Sequence, residues 1–225
     1  MSFILSMTTN GAIMMAADNA LSVMTADGWH TENECRKLYT TPHNMGISAG
    51  GDARTKNGTP MLKLLREFID NLDVAGCDTP MKTAQALLSY MRSFCTENKF
   101  TFHLCGYEII DGFIVPQIVN VQTYENEVEL KTISDNPECI VPVILWRTAI
   151  DMPVLLENIM ESLEFWASAE NALRLANLLF ATMSNFTNRI YGARVVGEKP
   201  DILAIYPFKH EWVYRNELNG GGIYA

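Results

Sequence analysis

Ser2-Phe3-Ile4-Leu5-Ser6-Met7-Thr8-Thr9-Asn10-Gly11-Ala12-Ile13-Met14-Met15-Ala16-Ala17-Asp18 is the stretch on which the fold turns. An apolar run meets Asn10-Gly11, and a second run that reads as buried follows and closes on Asp18. Asn-Gly between two strand-like runs is a strong hairpin signal, because glycine and asparagine tolerate the positive φ a tight turn demands. The chain therefore opens on a hairpin. A hydroxyl residue stands at the free end of its first strand and an acid closes the second. Once Met1 is removed, which a small second residue permits, the terminal amine of Ser2 is placed to act as base for its own hydroxyl.

Working outward, the hairpin begins a four-strand opening that gives way to two helices. Met61, Leu64, Leu65, Phe68, Ile69 and Leu72 recur at helical intervals from Pro60 to about Val74. Thr79-Pro80 starts a second helix with Met81, Ala84, Leu87, Leu88, Met91 and Cys95 on one stripe. Strand patterns return at Thr101–Ile110, Phe113–Tyr124 and Glu127–Ser134, with Asp111-Gly112 and Glu125-Asn126 as tight connections. A second helical pair is expected over Asp151–Ala167 and Ala169–Thr187, and closing strands at Ala193–Val196, Ile202–Pro207 and Glu211–Tyr214. Runs of strands alternating with helical pairs fit an α+β fold, a four-layer αββα sandwich of two antiparallel sheets between helix layers. No linker, repeat or low-complexity segment divides residues 1–225, so a single domain is expected.

Three segments, Asn10 to Asp18, Arg36-Lys37-Leu38-Tyr39 and Gly46-Ile47-Ser48-Ala49-Gly50-Gly51-Asp52-Ala53, occur in an order and spacing that resembles the proteasome β-subunit and HslV peptidase family. The resemblance implies the αββα fold of N-terminal nucleophile (Ntn) hydrolases. It also implies roles: Ser2 as nucleophile, Asp18 as the acid, Lys37 as the active-site lysine and the amide of Gly50 as the oxyanion donor. Counted from Ser2, Asp18 is seventeenth, the register of the family acid. Ser22 matches a family threonine that contacts substrate backbone; a surface hydroxyl explains it equally well.

The implied chemistry is peptide or amide hydrolysis. An α-amine with a pKa of roughly 7.7–8 can accept the Ser2 hydroxyl proton near neutral pH. Lys37, kept charged by Asp18, would orient the proton path, and the Gly50 amide would stabilise the oxyanion. Two departures set a second reading beside this one. Serine replaces the usual threonine, and the family's supporting Asp-x-x-Ser-Gly-Gly segment reads here Asn188-Arg189-Ile190-Tyr191-Gly192-Ala193, without the acid or the serine. Ser134 stands near the place of the family's other supporting serine. The second reading is a catalytically silent subunit that assembles, supports a ring or binds a ligand, with Asp18 and Lys37 as a structural ion pair.

Composition narrows the partners. A formal net charge of −9 opposes a polyanionic nucleic acid. No apolar run is long enough to span a bilayer and no secretory leader pattern precedes the first strand, so no membrane is involved and a cytoplasmic location is expected. Cys35, Cys77, Cys95, Cys105 and Cys139 are odd in number and set among apolar neighbours, which suits reduced core thiols. Cys105 and His103 lie two apart on one face of a core strand and read as packing. His30, His43 and His210 are isolated, so no metal and no cofactor are expected. Leu155, Leu156, Ile159, Met160, Leu163 and Trp166, followed by Leu173, Leu175, Leu178, Leu179 and Phe180, supply more apolar surface than one stripe per helix needs. Most of it is assigned to packing on a sheet. The remainder, with the resemblance, implies a homo-oligomeric ring or chamber that takes a peptide substrate and is fed by an ATPase unfoldase.

Overall fold

The computed structural model describes residues 2–73, 76–94, 97–132, 143–148, 168–193 and 195–216. Two five-stranded antiparallel sheets lie face to face. The first carries β1 (Phe3–Thr8) and β2 (Ile13–Ala17), and is completed by β10 (Ile144–Thr148), β11 (Asp201–Tyr206) and β12 (Lys209–Tyr214), in the order β10-β1-β2-β11-β12. The second runs β5 (Leu38–Thr40), β6 (Gly46–Gly51), β7 (Phe100–Ile110), β8 (Phe113–Gln122) and β9 (Glu127–Leu130) in sequence order. A separate ribbon pairs β3 (Ala20–Thr25) with β4 (Gly28–Glu34). Helices α1 (Met61–Asp70) and α2 (Pro80–Phe94) cover the second sheet, and α3 (Ala169–Tyr191) covers the first. The expected αββα sandwich is what forms.

Strand alternation sorts the side chains of β1 into two layers. Phe3, Leu5 and Met7 meet Leu175, Leu179, Phe180 and Met183 of α3, with the Phe3 and Phe180 rings 4.6 Å apart. Ile4 faces the other way and joins Ile13, Met15, Leu38, Cys105, Ile118, Leu203 and Ile205 between the sheets. The sheets approach closely at Gly46, where a Cβ would lie 2.4 Å from Met15 Sδ and 3.0 Å from Leu203 and Ile205 methyls. Any side chain there would have to displace that of Met15.

The helices begin and end where local chemistry dictates. Thr79 Oγ1 accepts the Lys82 amide at 3.3 Å, and Pro80 occupies the first helical position of α2, where its missing N–H costs nothing. Ser168 caps α3 by accepting the Asn171 amide at 3.1 Å, and Gly192 ends it in the left-handed region at φ 66°. Helix α3 therefore runs one turn past the expected Thr187. The segment Asn188–Tyr191 is its last turn.

Other expectations shift in detail. Asp111 and Gly112 both take positive φ, as the tight connection between β7 and β8 requires, and Asn126 does so between β8 and β9. The strand expected over Ala193–Val196 is absent at its described residues: Val195 and Val196 are fully buried outside any strand, and the Val195 amide donates to the Ala193 carbonyl. Strand β10 was not anticipated. The expected helix at 151–167, with its apolar surface, Ser134, Cys95 and Cys139 lie outside the described residues. Cys35, Cys77 and Cys105 are buried free thiols. No helix among the described residues is long and apolar enough to cross a membrane.

Candidate active site

Asp18 follows directly on β2 and is 1% exposed. Its amide donates to the Phe3 carbonyl at 3.1 Å, extending the ladder by one rung, and its carboxylate turns back to accept the Phe3 amide at 2.8 Å on Oδ1. Oδ2 accepts the amides of Ala20 at 3.0 Å and Gly197 at 3.3 Å. With the Phe3 amide, these make three backbone donors to one buried carboxylate.

Lys37 supplies the counter-charge. It lies in the connection between β4 and β5, and its carbonyl accepts the Ala49 amide of β6 at 2.9 Å, which fixes its backbone against the second sheet. Its Nζ donates to Asp18 Oδ1 at 3.1 Å, Asp18 Oδ2 at 2.9 Å and the Ala20 carbonyl at 2.5 Å. These three acceptors match the three N–H donors of an ammonium group. With Lys37 only 3% exposed, the pair is a desolvated, fully hydrogen-bonded bridge between the two sheets. The Cys35 thiol beside it is pushed up to about 11, by burial first, against the opposing pull of Lys37. Cys105 is pushed up to about 12 by burial, so neither thiol is a nucleophile at neutral pH.

Ser2, half-buried at the head of β1, lines a cleft of about 20 Å³ together with Ser22, Lys37, Gly51, Met61 and Leu62. That volume admits about one water molecule. Ser22 is 4% exposed and donates to the Val195 carbonyl at 2.9 Å, so it is a buried, bonded hydroxyl and not a surface one. The structure thus brings Ser2, Ser22 and Lys37 to one cleft, with Asp18 behind Lys37.

Gly50 and Gly51 play different parts. A Cβ on Gly50 would sit 3.7 Å from Ser2 Cβ, so the absent side chain leaves the space beside Ser2 open. The Ala49 amide donates to the Lys37 carbonyl at 2.9 Å, and Gly50, the next residue of β6, pairs with Thr101 of β7. Gly51 holds φ 106°, and a Cβ there would lie 2.0 Å from the Lys99 carbonyl oxygen, so no other residue fits.

Two contributors escape side-chain reasoning altogether. The Ala20 carbonyl and the Gly197 amide act through the backbone. Only Gly197 leaves a trace in the sequence: a Cβ there would meet Asn19 Oδ1 at 2.4 Å. Among the described residues no group of three or more His, Cys, Asp or Glu is placed to hold a metal ion.

No protein-family model matches the sequence, and no curated protein is similar to it at the level of sequence. The likeness lies in the fold. A solved Anbu (Gly-1) mutant from Hyphomicrobium sp. strain MC1 superposes with a TM-score of 0.62 at 14% identity, covering 94% of this chain and 85% of that one. Anbu from Yersinia bercovieri, described as an ancestral beta-subunit, gives 0.60 at 14% identity, over 94% and 86%. At this identity the similarity shows a shared fold, the αββα sandwich.

Proposed function

We propose that the chain is a proteasome-like subunit in which the Asp18–Lys37 pair is structural, and whose role is to assemble or to bind a ligand. One observation carries this reading: the Lys37 ammonium is held by three oxygens, two from Asp18 and one from Ala20, with room for about one water in front of Ser2. A buried ion pair so enclosed tethers the start of β1 to the second sheet, a role that needs no turnover. Residues 188–193 support it as well, since Asn188–Tyr191 close a helix and bring neither an acid nor a serine to the site. Intact mass of the untagged protein, before and after brief exposure to an electrophile that captures terminal nucleophiles, tests it. Retained Met1 or an unmodified Ser2 is the expected result. Loss of Met1 with one stoichiometric adduct on Ser2 overturns it.

The convergence of Ser2, Lys37 and Ser22 on one cleft favours hydrolysis as the second reading. The Ser2 amine would take the hydroxyl proton, Lys37 would orient it, and the Gly50 amide would hold the oxyanion before water resolves the acyl-enzyme. On this reading Ser2→Ala and Lys37→Ala each abolish amidase activity. Both readings carry the same proposal for assembly, a homo-oligomeric cytoplasmic ring or chamber, with a peptide substrate and an ATPase partner belonging to the hydrolase alone. Light scattering on the eluting protein measures the assembly directly.

A further inference from the structure

The open edge of the sandwich, where edge strand β5 of one sheet meets edge strand β12 of the other, holds a cleft of about 190 Å³. Three guanidinium groups line it: Arg36 from the β4–β5 connection, Arg66 from α1 and Arg215 just beyond β12. Tyr39 and Trp212 form aromatic walls, and Asp70 is the lining carboxylate. This concentration of positive charge stands on a chain of net charge −9.

The guanidiniums are close enough to feel one another. Repulsion from Arg36 adds to burial in lowering the pKa of Arg215. Arg66 and Arg36 both oppose the burial that pushes the Tyr39 hydroxyl up to about 12. Arg36 is incompletely matched. Its Nη2 donates to the Asn216 carbonyl at 3.3 Å, but Nε has no hydrogen-bond partner, and the nearest Asp201 oxygen is 3.7 Å away. The other Asp201 oxygen is taken by Asn216, through its amide at 2.7 Å and its side chain at 3.2 Å. Arg215 lies 4.9 Å from the centroid of the Trp212 ring, which supports it without neutralising it.

We propose that this cleft is a binding site for a small oxyanion, a phosphate or carboxylate group held by Arg36, Arg66 and Arg215 with Trp212 against its non-polar part. Planar guanidiniums suit such groups because they present paired donors in the geometry of the oxygens. An anion here relieves the like-charge repulsion among the three guanidiniums. The site is separate from the Ser2 cleft and owes nothing to nucleophile chemistry.

Calorimetric titration of the full chain at constant ionic strength, with inorganic phosphate in one arm and malonate in the other, tests the proposal and separates the two sources of oxyanion. One saturable site is expected with at least one probe. Arg66→Gln and Arg215→Gln, both at exposed positions that leave the core untouched, should each weaken it about tenfold, the size of one charge-assisted hydrogen bond. Lys82→Gln, an exposed cation on α2 paired with Asp78, should bind as the parent does. Absence of saturable binding by both probes, unchanged affinity in both arginine variants, or an equal loss in Lys82→Gln would overturn the site.

Discussion

Asp18 grips Phe3 from both sides, giving its own amide to the Phe3 carbonyl at 3.1 Å and taking the Phe3 amide on its carboxylate at 2.8 Å. One residue thus fixes the position and direction of the peptide next to Ser2. Because Lys37 holds that carboxylate, the head of β1 depends on a charge brought from the other sheet.

This dependence predicts an asymmetry. Lys37→Met should destabilise the protein by about 3–5 kcal/mol, since it leaves a buried carboxylate without its counter-charge. Combining it with Asp18→Asn should recover part of that loss. Urea unfolding of the two variants measures the difference, and equal stability of the single and double variants would contradict it.

Helix α3 is fastened by Phe180, fully buried against Phe3. Phe180→Ala should cost about 3–5 kcal/mol through lost burial and the cavity left behind. Leu178→Ala, 57% exposed on the same helix, should stay within about 0.5 kcal/mol. Thermal melts of both variants give the comparison.

Glycine positions should respond according to what surrounds them. Gly46→Ala forces a methyl into the contact with Met15 Sδ, and overpacking of this kind typically costs about 1–3 kcal/mol. Gly51→Ala should be worse, because its Cβ meets a backbone carbonyl that cannot swing aside and its φ is positive. Recovery of soluble protein, followed by denaturant midpoints, should rank them in that order.

Alkaline pH should weaken the fold. Burial raises the Cys35 thiol from 9.0 to about 11, Cys105 from 9.0 to about 12, and the hydroxyls of Tyr39 and Tyr107 from 10.0 to about 12. Between the unfolded and folded values the native state binds more protons, so stability is full below pH 9 and falls as pH climbs toward 11 and 12. Urea midpoints at pH 7.5, 9 and 10.5 should decline in that order, and native Cys35 and Cys105 should resist iodoacetamide until the protein unfolds. A midpoint unchanged at pH 10.5 would rule this out.

The sequence was informative wherever the physics is local. Asn10-Gly11 marked the first hairpin, Asp111-Gly112 the β7–β8 turn, and the stripes at Leu64, Leu65 and Phe68 and at Ala84, Leu87 and Met91 marked two helices. Strand β10 was hidden because five residues show no decisive period, and its partner β1 lies far away in sequence. Val195-Val196 misled in the opposite sense: β-branched residues suggest a strand, yet here they plug the core from outside any strand. At the site, Asp18 and Lys37 were legible through family resemblance, since nothing local links residues nineteen apart in the chain. Ala20 and Gly197 were not, because the groups they offer belong to every residue's backbone.

The order β10-β1-β2-β11-β12 also bears on how the chain folds as it is made. Its first hairpin is the centre of a sheet, and the strands that flank it end at Thr148 and Tyr206. Until those are synthesised, β1 and β2 have two unsatisfied edges rich in apolar side chains, a template for pairing with the wrong chain. Slow, non-local closure of this kind predicts a folding rate set by topology and a nascent hairpin that benefits from chaperone cover.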